Sequence, residues 1–313
     1  MERQLLDDLN RHAAAIGRDL RLVQGAGGNL SGKDGDLVWV KASGTRLAEA
    51  QERPVFVGVD GPRARVDVLH HEDLRHVVVE VADERASRPS IETALHVLLP
   101  HRFVFHVHSV GAVAAGAQQD PHAVLDRLRA VAPVGWVRYA KPGIALARSV
   151  LAAQERIGAT DEAVFLLGNH GLLTAADSAD RAGALVEEAE RVLRRDDRPL
   201  PDDDGSALAP AGTLDAAATR LLTGGVLTPD SAVFLGSRPF GTGPGTGSSL
   251  VVTAEGGVVV DGPLSADARE IGRGLVGVAQ HADPSAPVRY LDEDEVAELV
   301  DWEAETWRRA MQR

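Results

Sequence analysis

Residues 103–109, Phe-Val-Phe-His-Val-His-Ser, have the apolar character of a buried β-strand and carry two histidines one residue apart. Side chains alternate between the two faces of a strand, so His106 and His108 point the same way and can hold one metal ion between their imidazoles. Such a pair needs further ligands. The predicted third is His170, which follows an apolar run typical of a second buried strand, and Glu92 is the candidate fourth ligand or proton carrier.

A structural explanation of these histidines competes with the metal site. The chain contains 11 histidines, and an isolated histidine on an apolar segment is more often a hydrogen-bonded core residue than a ligand. A His-x-His strand combined with an Asn-His-Gly at the end of another strand is a rarer pattern. The combination favours metal binding over the structural explanation.

Composition limits the classes of partner and cofactor. The chain has 44% hydrophobic and 25% charged residues, which is typical of a globular protein, and its net charge of −13 argues against nucleic acid or an anionic membrane as a partner. It contains no cysteine, which excludes thiolate ligands and leaves histidine and carboxylate to hold a metal. Neither an 18-residue apolar run nor a secretory leader is visible, so we expect a cytoplasmic protein.

Two segments rich in small residues are candidates for anion binding. Residues 25–33 contain four glycines whose backbone N–H groups could converge on an anion, although a glycine-rich turn is more often only a turn. Residues 41–46, Lys-Ala-Ser-Gly-Thr-Arg, follow a predicted strand and add two cations. The three lysines of the chain, Lys33, Lys41 and Lys141, all lie in segments that stand out for other reasons. Together the two loops make a shared anion site more plausible than either would alone.

Periodicity predicts an α/β domain over residues 1–196, a linker over 197–212 rich in Asp, Pro and Gly, and a small α/β unit over 213–313. Strands separated by helices favour parallel pairing in the first domain. In the small unit we expect a hairpin from residues 248–253 and 257–260. We also expect a last helix that starts at Asp292, with Glu295 in capping-box spacing and with Trp307 and Met311 on its apolar stripe. The glycine-rich residues 241–247 precede a strand and no helix, so they indicate a flexible loop rather than a phosphate loop.

Five motifs in a fixed order resemble the class II aldolase/adducin family over about residues 1–196: Gly27-Gly28-Asn29-Leu30-Ser31, Ala42-Ser43-Gly44, Ser90-Ile91-Glu92, His106-Val107-His108 and Asn169-His170-Gly171. Residues 40–44, 88–93 and 228–230 are similar to the aldolase portion of the fused rhamnulose-1-phosphate aldolase/alcohol dehydrogenase proteins. The dinucleotide fingerprint of the dehydrogenase portion does not occur in this sequence.

The resemblance implies a three-layer α/β/α sandwich around a mainly antiparallel sheet, extended here by the small C-terminal α/β unit. It implies a zinc ion (Zn2+) or another divalent metal, and a homotetramer with active sites between subunits. The metal ligands it implies are His106, His108, His170 and Glu92. The substrate-phosphate ligands it implies are Gly28, Asn29, Ser43, Gly44 and Ser90.

Three neutral imidazoles leave most of the charge of a bound ion available for Lewis-acid chemistry on a substrate carbonyl. Glu92 would then move a proton to or from the neighbouring carbon, and Tyr139 is the candidate second acid or base, although a tyrosine buried beside a Pro-Gly turn is an equally good interpretation. We therefore predict an aldolase that cleaves a phosphorylated ketose, such as a deoxyketohexose 1-phosphate, into dihydroxyacetone phosphate and an aldehyde. An epimerase, dehydratase or decarboxylase would use related chemistry, and a non-catalytic adducin-like module is a further alternative.

Overall fold

The computed structural model describes residues 2–70, 74–81, 88–243 and 245–300. Within these residues the first part of the chain forms an eight-stranded sheet in the order β4-β3-β2-β1-β5-β8-β7-β6. Its strands are β1 Asn29–Asp34, β2 Leu37–Lys41, β3 Phe56–Asp60, β4 Val78–Val81, β5 Phe103–Val107, β6 Val134–Val137, β7 Glu162–Leu167 and β8 Gly171–Ala176.

Neighbouring strands of this sheet are antiparallel, except that β6 and β7 are parallel. The mainly antiparallel sheet implied by the family resemblance is confirmed, and the parallel pairing favoured by the alternation of helices and strands was wrong. The reason is that short turns join β1 to β2 and β7 to β8, and short turns can join only antiparallel strands. The glycine-rich segment is also shorter than predicted, because residues 29–33 belong to β1.

Helices cover both faces of the sheet, so the predicted three-layer α/β/α sandwich is confirmed. On β5, Phe105 packs with Leu9 and Leu185 on one face, while Val104 packs with Leu95 and Leu146 on the other. In the described part of the chain no helix is both long and apolar enough to span a bilayer. The helices of this domain are α1 Glu2–Arg18, α2 Gly61–His70, α3 Thr93–Leu98, α4 Val110–Gly116, α5 His122–Leu128, α6 Ile144–Ile157 and α7 Ala179–Leu193.

The C-terminal unit has a small sheet of its own, in the order β10-β11-β12-β9, within the described residues. β9 lies inside residues 197–212, which the sequence predicts as a linker, and it pairs there with β12. The apolar run 232–235, to which the sequence assigned no element, belongs to helix α9. The elements are β9 Ala207–Ala209, α8 Ala216–Thr223, α9 Pro229–Leu235, β10 Phe240–Gly241, β11 Leu250–Val252, β12 Val258–Val260, α10 Ala266–His281 and α11 Glu293–Val300.

Two further features of this unit follow the sequence prediction. β11 and β12 form the expected antiparallel hairpin. The expected capping box is also present at the start of α11, where the backbone N–H of Asp292 donates to Glu295 at 3.0 Å and the N–H of Glu295 donates to Asp292 at 2.8 Å. The predicted apolar positions Trp307 and Met311 of the same helix lie outside the described residues.

The C-terminal unit packs directly on the first domain. Val110 of α4 lies in one hydrophobic cluster with Leu275 of α10. The backbone N–H of Gly25 donates to Glu270 at 2.7 Å and that of Ala26 donates to Asp267 at 3.1 Å. Part of the glycine-rich segment therefore binds anionic groups as predicted for its composition, but these groups are carboxylates of α10.

A buried carboxyl on α7 predicts a pH-dependent stability. Glu190 is 5% exposed, and burial raises its pKa from 4.5 to about 7, against the opposing hydrogen bond from Ser109. The folded protein therefore keeps this proton over a pH range in which the unfolded chain releases it, so its contribution to stability falls as pH rises from 4.5 to about 7. Relative to wild type, Glu190→Gln should gain about 3 kcal/mol in unfolding free energy across this range.

Urea denaturation at a series of pH values measures this gain. Glu187→Gln serves as the matched control, because Glu187 is exposed on the same helix. A difference between Glu190→Gln and wild type that does not change with pH would contradict the prediction.

Candidate metal centre

The four predicted ligands come from three places that the sheet brings together. His106 lies in β5, opposite Asn29 of β1 and Leu173 of β8, and it is fully buried. His108 lies just beyond the end of β5. His170 lies in the tight turn between β7 and β8, and Glu92 immediately precedes α3. β5 and β8 are antiparallel neighbours in the middle of the sheet, so the end of β5 lies beside the start of β8. The His-x-His pair and the histidine of the turn therefore meet there.

The side chains converge closely enough to share one ion. One ligand atom from each of the four residues lies within 4.8 Å of the other three. The Nε2 atoms of His106 and His108 are 3.1 Å apart, and Glu92 lies 3.4 Å from the Nε2 of His106 and 3.2 Å from the Nε2 of His170. The Oε1 atom of Glu92 is buried and makes no hydrogen bond within the described residues. A divalent ion with a preference for nitrogen and oxygen ligands, such as zinc, fits this arrangement.

The protonation states also suit a metal. Burial lowers the pKa of His106, and it lowers the pKa of His170 to about 3, so both imidazoles are neutral near pH 7. Burial disfavours the charged form of Glu92, whereas positive charge on the imidazoles, when they are protonated at low pH, and the hydrogen bond from the Asn29 amide favour it, and the pKa of Glu92 lies below its usual range. The cluster therefore offers neutral nitrogen donors and one carboxylate, which is the state in which these groups bind metal.

The ring nitrogens that face away from the centre differ in their partners. The Nδ1 of His106 lies 2.9 Å from the backbone carbonyl of Leu172, which it reaches as a donor. The Nδ1 of His108 lies 2.7 Å from a carboxylate oxygen of Asp230. The Nδ1 of His170 is buried and has no hydrogen-bond partner among the described residues. In each of the two supported rings the bonded Nδ1 leaves Nε2 directed at the centre.

A buried chain of polar groups holds Glu92. The Nδ2 of Asn29 donates to Glu92 at 2.8 Å, while the Oδ1 of Asn29 contacts the Nε2 of His96. Burial lowers the pKa of His96 to about 3, so its neutral ring donates to Asn29 and accepts from Ser31 at 2.6 Å. The side chain of Asn29, a predicted phosphate ligand, is thus engaged with Glu92. His96 and Ser31 are part of the site, although the sequence predicted a role for neither of them and Ser31 stands out in it only as the last residue of the first motif.

The predicted phosphate ligands lie in the same cleft as the metal ligands. Main-chain hydrogen bonds bring their two segments together, since Ser43 N donates to Arg88 O at 2.8 Å and Ser90 N donates to Lys41 O at 3.0 Å. The residues of the predicted site that line the cleft are Gly28, Asn29, Ser43, Gly44, Ser90, Glu92, His108 and His170.

Of the three lysines, Lys41 alone lines this cleft. It is buried, and its ammonium group donates to the carbonyl of Ala26 at 2.9 Å. Lys33 instead contacts the carbonyl of Leu99, and burial lowers its pKa to about 8. Lys141 lies 3.8 Å from Glu298. Lys41 is therefore the lysine that brings positive charge to this cleft.

Two predicted site residues do not line this cleft within the described chain: His106, which is fully buried behind it in the four-residue cluster, and Tyr139. Tyr139 is also outside that cluster. The guanidinium of Arg289 lies 5.0 Å from the centre of its ring. Burial raises the pKa of its phenol, so the group stays protonated at neutral pH. A role in proton transfer stays a prediction for this residue, and its place here suits an acid better than a base.

Comparisons with known proteins agree with the motif order. A sequence profile of the class II aldolase and adducin N-terminal domain matches residues 11–195. A Bacillus subtilis protein, uncharacterized oxidoreductase YuxG, is 25% identical over 209 residues, which are 60% of this chain and 29% of that protein. The chain thus spans less than a third of this curated relative's length.

Several solved structures are similar to the chain. The N-terminal class II aldolase domain of a conserved protein from Thermoplasma acidophilum is 26% identical, with a TM-score of 0.49, and the match covers 60% of this chain and 93% of that one. YgbL from Klebsiella pneumoniae, described as an aldolase, epimerase or decarboxylase, is 23% identical over 65% of this chain and 96% of its own, with a TM-score of 0.47. An L-fuculose 1-phosphate aldolase is 22% identical over 61% and 83%, with a TM-score of 0.44.

Proposed function

Because the chain belongs to the class II aldolase and adducin family, we propose that it is a metal-dependent aldolase. Its substrate is a phosphorylated ketose, such as a deoxyketohexose 1-phosphate, and its products are dihydroxyacetone phosphate and an aldehyde. The observation that carries the proposal is the convergence of three imidazoles and Glu92 in a cleft that also contains Lys41. A non-catalytic adducin-like role is disfavoured because the chain keeps a complete ligand set.

The imidazoles of His106, His108 and His170 would hold a zinc ion or another divalent metal, with Glu92 beside it. When bound, the ion supplies Lewis-acid polarisation of the substrate carbonyl. Glu92 is charged near neutral pH, so it acts as a base in the direction of synthesis and removes a proton from the hydroxymethyl carbon of dihydroxyacetone phosphate. The electron pair left on that carbon attacks the aldehyde carbon, the aldehyde oxygen takes up a proton from water, and Glu92 returns its proton to water. Cleavage is the reverse of these steps.

The buried network behind Glu92 supports this proton transfer. Asn29 fixes one carboxylate oxygen at 2.8 Å, so the other oxygen, which makes no hydrogen bond within the described residues, is left to exchange the proton. The cleft is also lined by Lys41, Ser43 and Ser90, whose ammonium and hydroxyl groups are of the kinds that bind a phosphate.

We also propose that the protein works in the cytoplasm as a homotetramer. Valine and leucine side chains on α2 and on the edge strand β4 support assembly, because Val66, Leu69 and Val79 are 53%, 48% and 57% exposed in the single chain. The acidic net charge of −13 supports a small-molecule partner over nucleic acid or a membrane surface.

The reaction is tested with purified protein loaded with zinc and, separately, with other divalent metals. A panel of phosphorylated ketoses is incubated with it, and dihydroxyacetone phosphate is measured with a coupled reductase. Release of this product supports the aldolase. Carbon dioxide release, loss of water or an epimerised sugar without cleavage would instead indicate a decarboxylase, a dehydratase or an epimerase, respectively.

Ser43→Ala tests the proposed phosphate end of the cleft. Removal of one hydrogen bond to a charged group costs about 1.5 kcal/mol, so we expect the KM for the phosphorylated ketose to rise about tenfold with little change in kcat. Turnover of the same ketose without its phosphate should be unaffected. Ser149→Ala, a serine of α6 whose hydroxyl donates to Ala145 O, is the control. An equal effect of Ser43→Ala on both substrates would place the phosphate elsewhere.

A further inference from the structure

The C-terminal unit contributes a side chain to the metal centre. Asp230, which lies outside residues 11–195 of the family match, places a carboxylate oxygen 2.7 Å from the Nδ1 of His108. The two side chains are only 10% and 12% exposed. We propose that Asp230 is a positioning residue that fixes His108 as a metal ligand, an inference that rests on the proposed metal-dependent function.

The position of His108 explains why it needs this support. His106 lies within β5 and is paired with strands on both sides, so the sheet fixes its backbone. His108 follows the last residue of β5, beyond the ladder of hydrogen bonds. Its ring instead contacts Asp230, and Gly27 lies close to both side chains. A Cβ at Gly27 would lie 2.9 Å from the Nδ1 of His108 and 3.3 Å from the Asp230 carboxylate. Only glycine leaves room there for the pair.

Asp230 is itself rigidly presented. It lies in the first turn of α9, after Thr228 and Pro229 at the start of that helix. Thr228 and Ser231 form a reciprocal capping box, with backbone-to-hydroxyl distances of 3.1 and 3.2 Å. The positive end of the helix dipole also favours a carboxylate in this turn. These contacts fix the backbone from which the Asp230 carboxylate reaches His108.

The same segment is tied to the third histidine. Asn169, which precedes His170 and has a positive φ of 55°, donates through its Nδ2 to the carbonyl of Leu227 at 2.9 Å. Residues 227–230 therefore contact both His108 and Asn169, the residue next to His170. A carboxylate behind a ligating imidazole fixes its orientation and raises its basicity, and loss of such a partner typically costs 10–100-fold in metal affinity.

The test compares Asp230→Asn with wild type. The amide keeps the shape of the side chain and removes its charge, so we expect the zinc dissociation constant, measured by competition with a chelator, to rise by about 10–100-fold. The melting temperature of the metal-free protein should stay unchanged, and the visible absorption spectrum of the Co2+-loaded protein should shift. Asp215→Asn is the matched control, because Asp215 caps the neighbouring helix α8 and does not line the cleft.

An unchanged zinc affinity in Asp230→Asn, or an equal loss in Asp215→Asn, overturns the proposal. A second measurement needs no variant: in the zinc-loaded wild-type protein, nitrogen-15 NMR should show His108 bound through Nε2 and protonated at Nδ1. Coordination through Nδ1 would also overturn it. If the wild-type protein binds neither zinc nor cobalt, both the proposed metal-dependent function and the role of Asp230 are wrong. If wild type and Asp230→Asn bind zinc equally well, only the role of Asp230 is wrong.

Discussion

His170→Ala is expected to give a folded protein that retains no metal ion and has no measurable turnover. The histidine lies in a turn at the end of β7, and its Nδ1 makes no hydrogen bond within the described residues, so its loss removes a ligand without breaking a structural network. Loss of a ligand should weaken metal binding more than the roughly 10–100-fold typical of a supporting residue. Metal content after dialysis, far-ultraviolet circular dichroism and the aldolase assay measure the three parts of this expectation.

His101→Ala is the matched control for this variant. His101 is also buried, but its Nε2 pairs with the carbonyl of Thr160 at 2.9 Å, and it is not among the four clustered side chains. We expect it to keep one equivalent of metal, whatever its effect on stability. A His170→Ala protein that keeps its metal after dialysis would show that the centre does not use this imidazole.

Glu92→Gln is expected to keep the metal and to lower turnover by about a hundredfold or more, the usual scale for loss of a general acid or base. The amide fits the space of the carboxylate, and its oxygen can still accept the hydrogen bond from Asn29 that Glu92 now accepts at 2.8 Å. The three imidazoles remain to bind the ion. The variant therefore separates proton transfer from metal binding. We measure kcat to test proton transfer and metal content to test metal binding.

The control for Glu92→Gln is Glu190→Gln, which changes another buried glutamate, on α7, to its amide. Its turnover should be near that of wild type at a pH where both proteins are folded. Near-normal turnover of Glu92→Gln would remove Glu92 from the mechanism. Loss of metal from this variant would instead make Glu92 a necessary ligand.

Through the contact of Asp230 with His108, the C-terminal unit supports the proposed metal centre. The unit is joined to the first domain by the carboxylates of α10 on Gly25 and Ala26 and by the apolar cluster between α10 and α4. Its second helix, α9, carries Asp230 to His108 at the metal centre. The family match ends before this unit begins, so the contact belongs to the part of the chain that distinguishes this protein from a bare N-terminal aldolase domain.

The sequence by itself determined the features that depend on neighbouring residues. The alternation in residues 103–108 places His106 and His108 on one side of a strand, because the backbone of an extended chain repeats every two residues. The capping box of Asp292 and Glu295 and the hairpin of β11 and β12 are local in the same sense. The order of the five motifs was enough to identify the family, and with it the three-layer fold.

Only the tertiary structure decided which distant groups meet. His108 and Asp230 are 122 residues apart, and no local pattern links them. The sheet order, which places β5 beside β8, brings His170 to the His-x-His pair, and it also gave the antiparallel pairing that helix and strand alternation did not predict. Asn29 is a further case, since packing turned its amide to Glu92 and His96. Backbone geometry is set within a few residues, whereas contacts between remote side chains depend on how whole elements pack, which one sequence read locally does not specify.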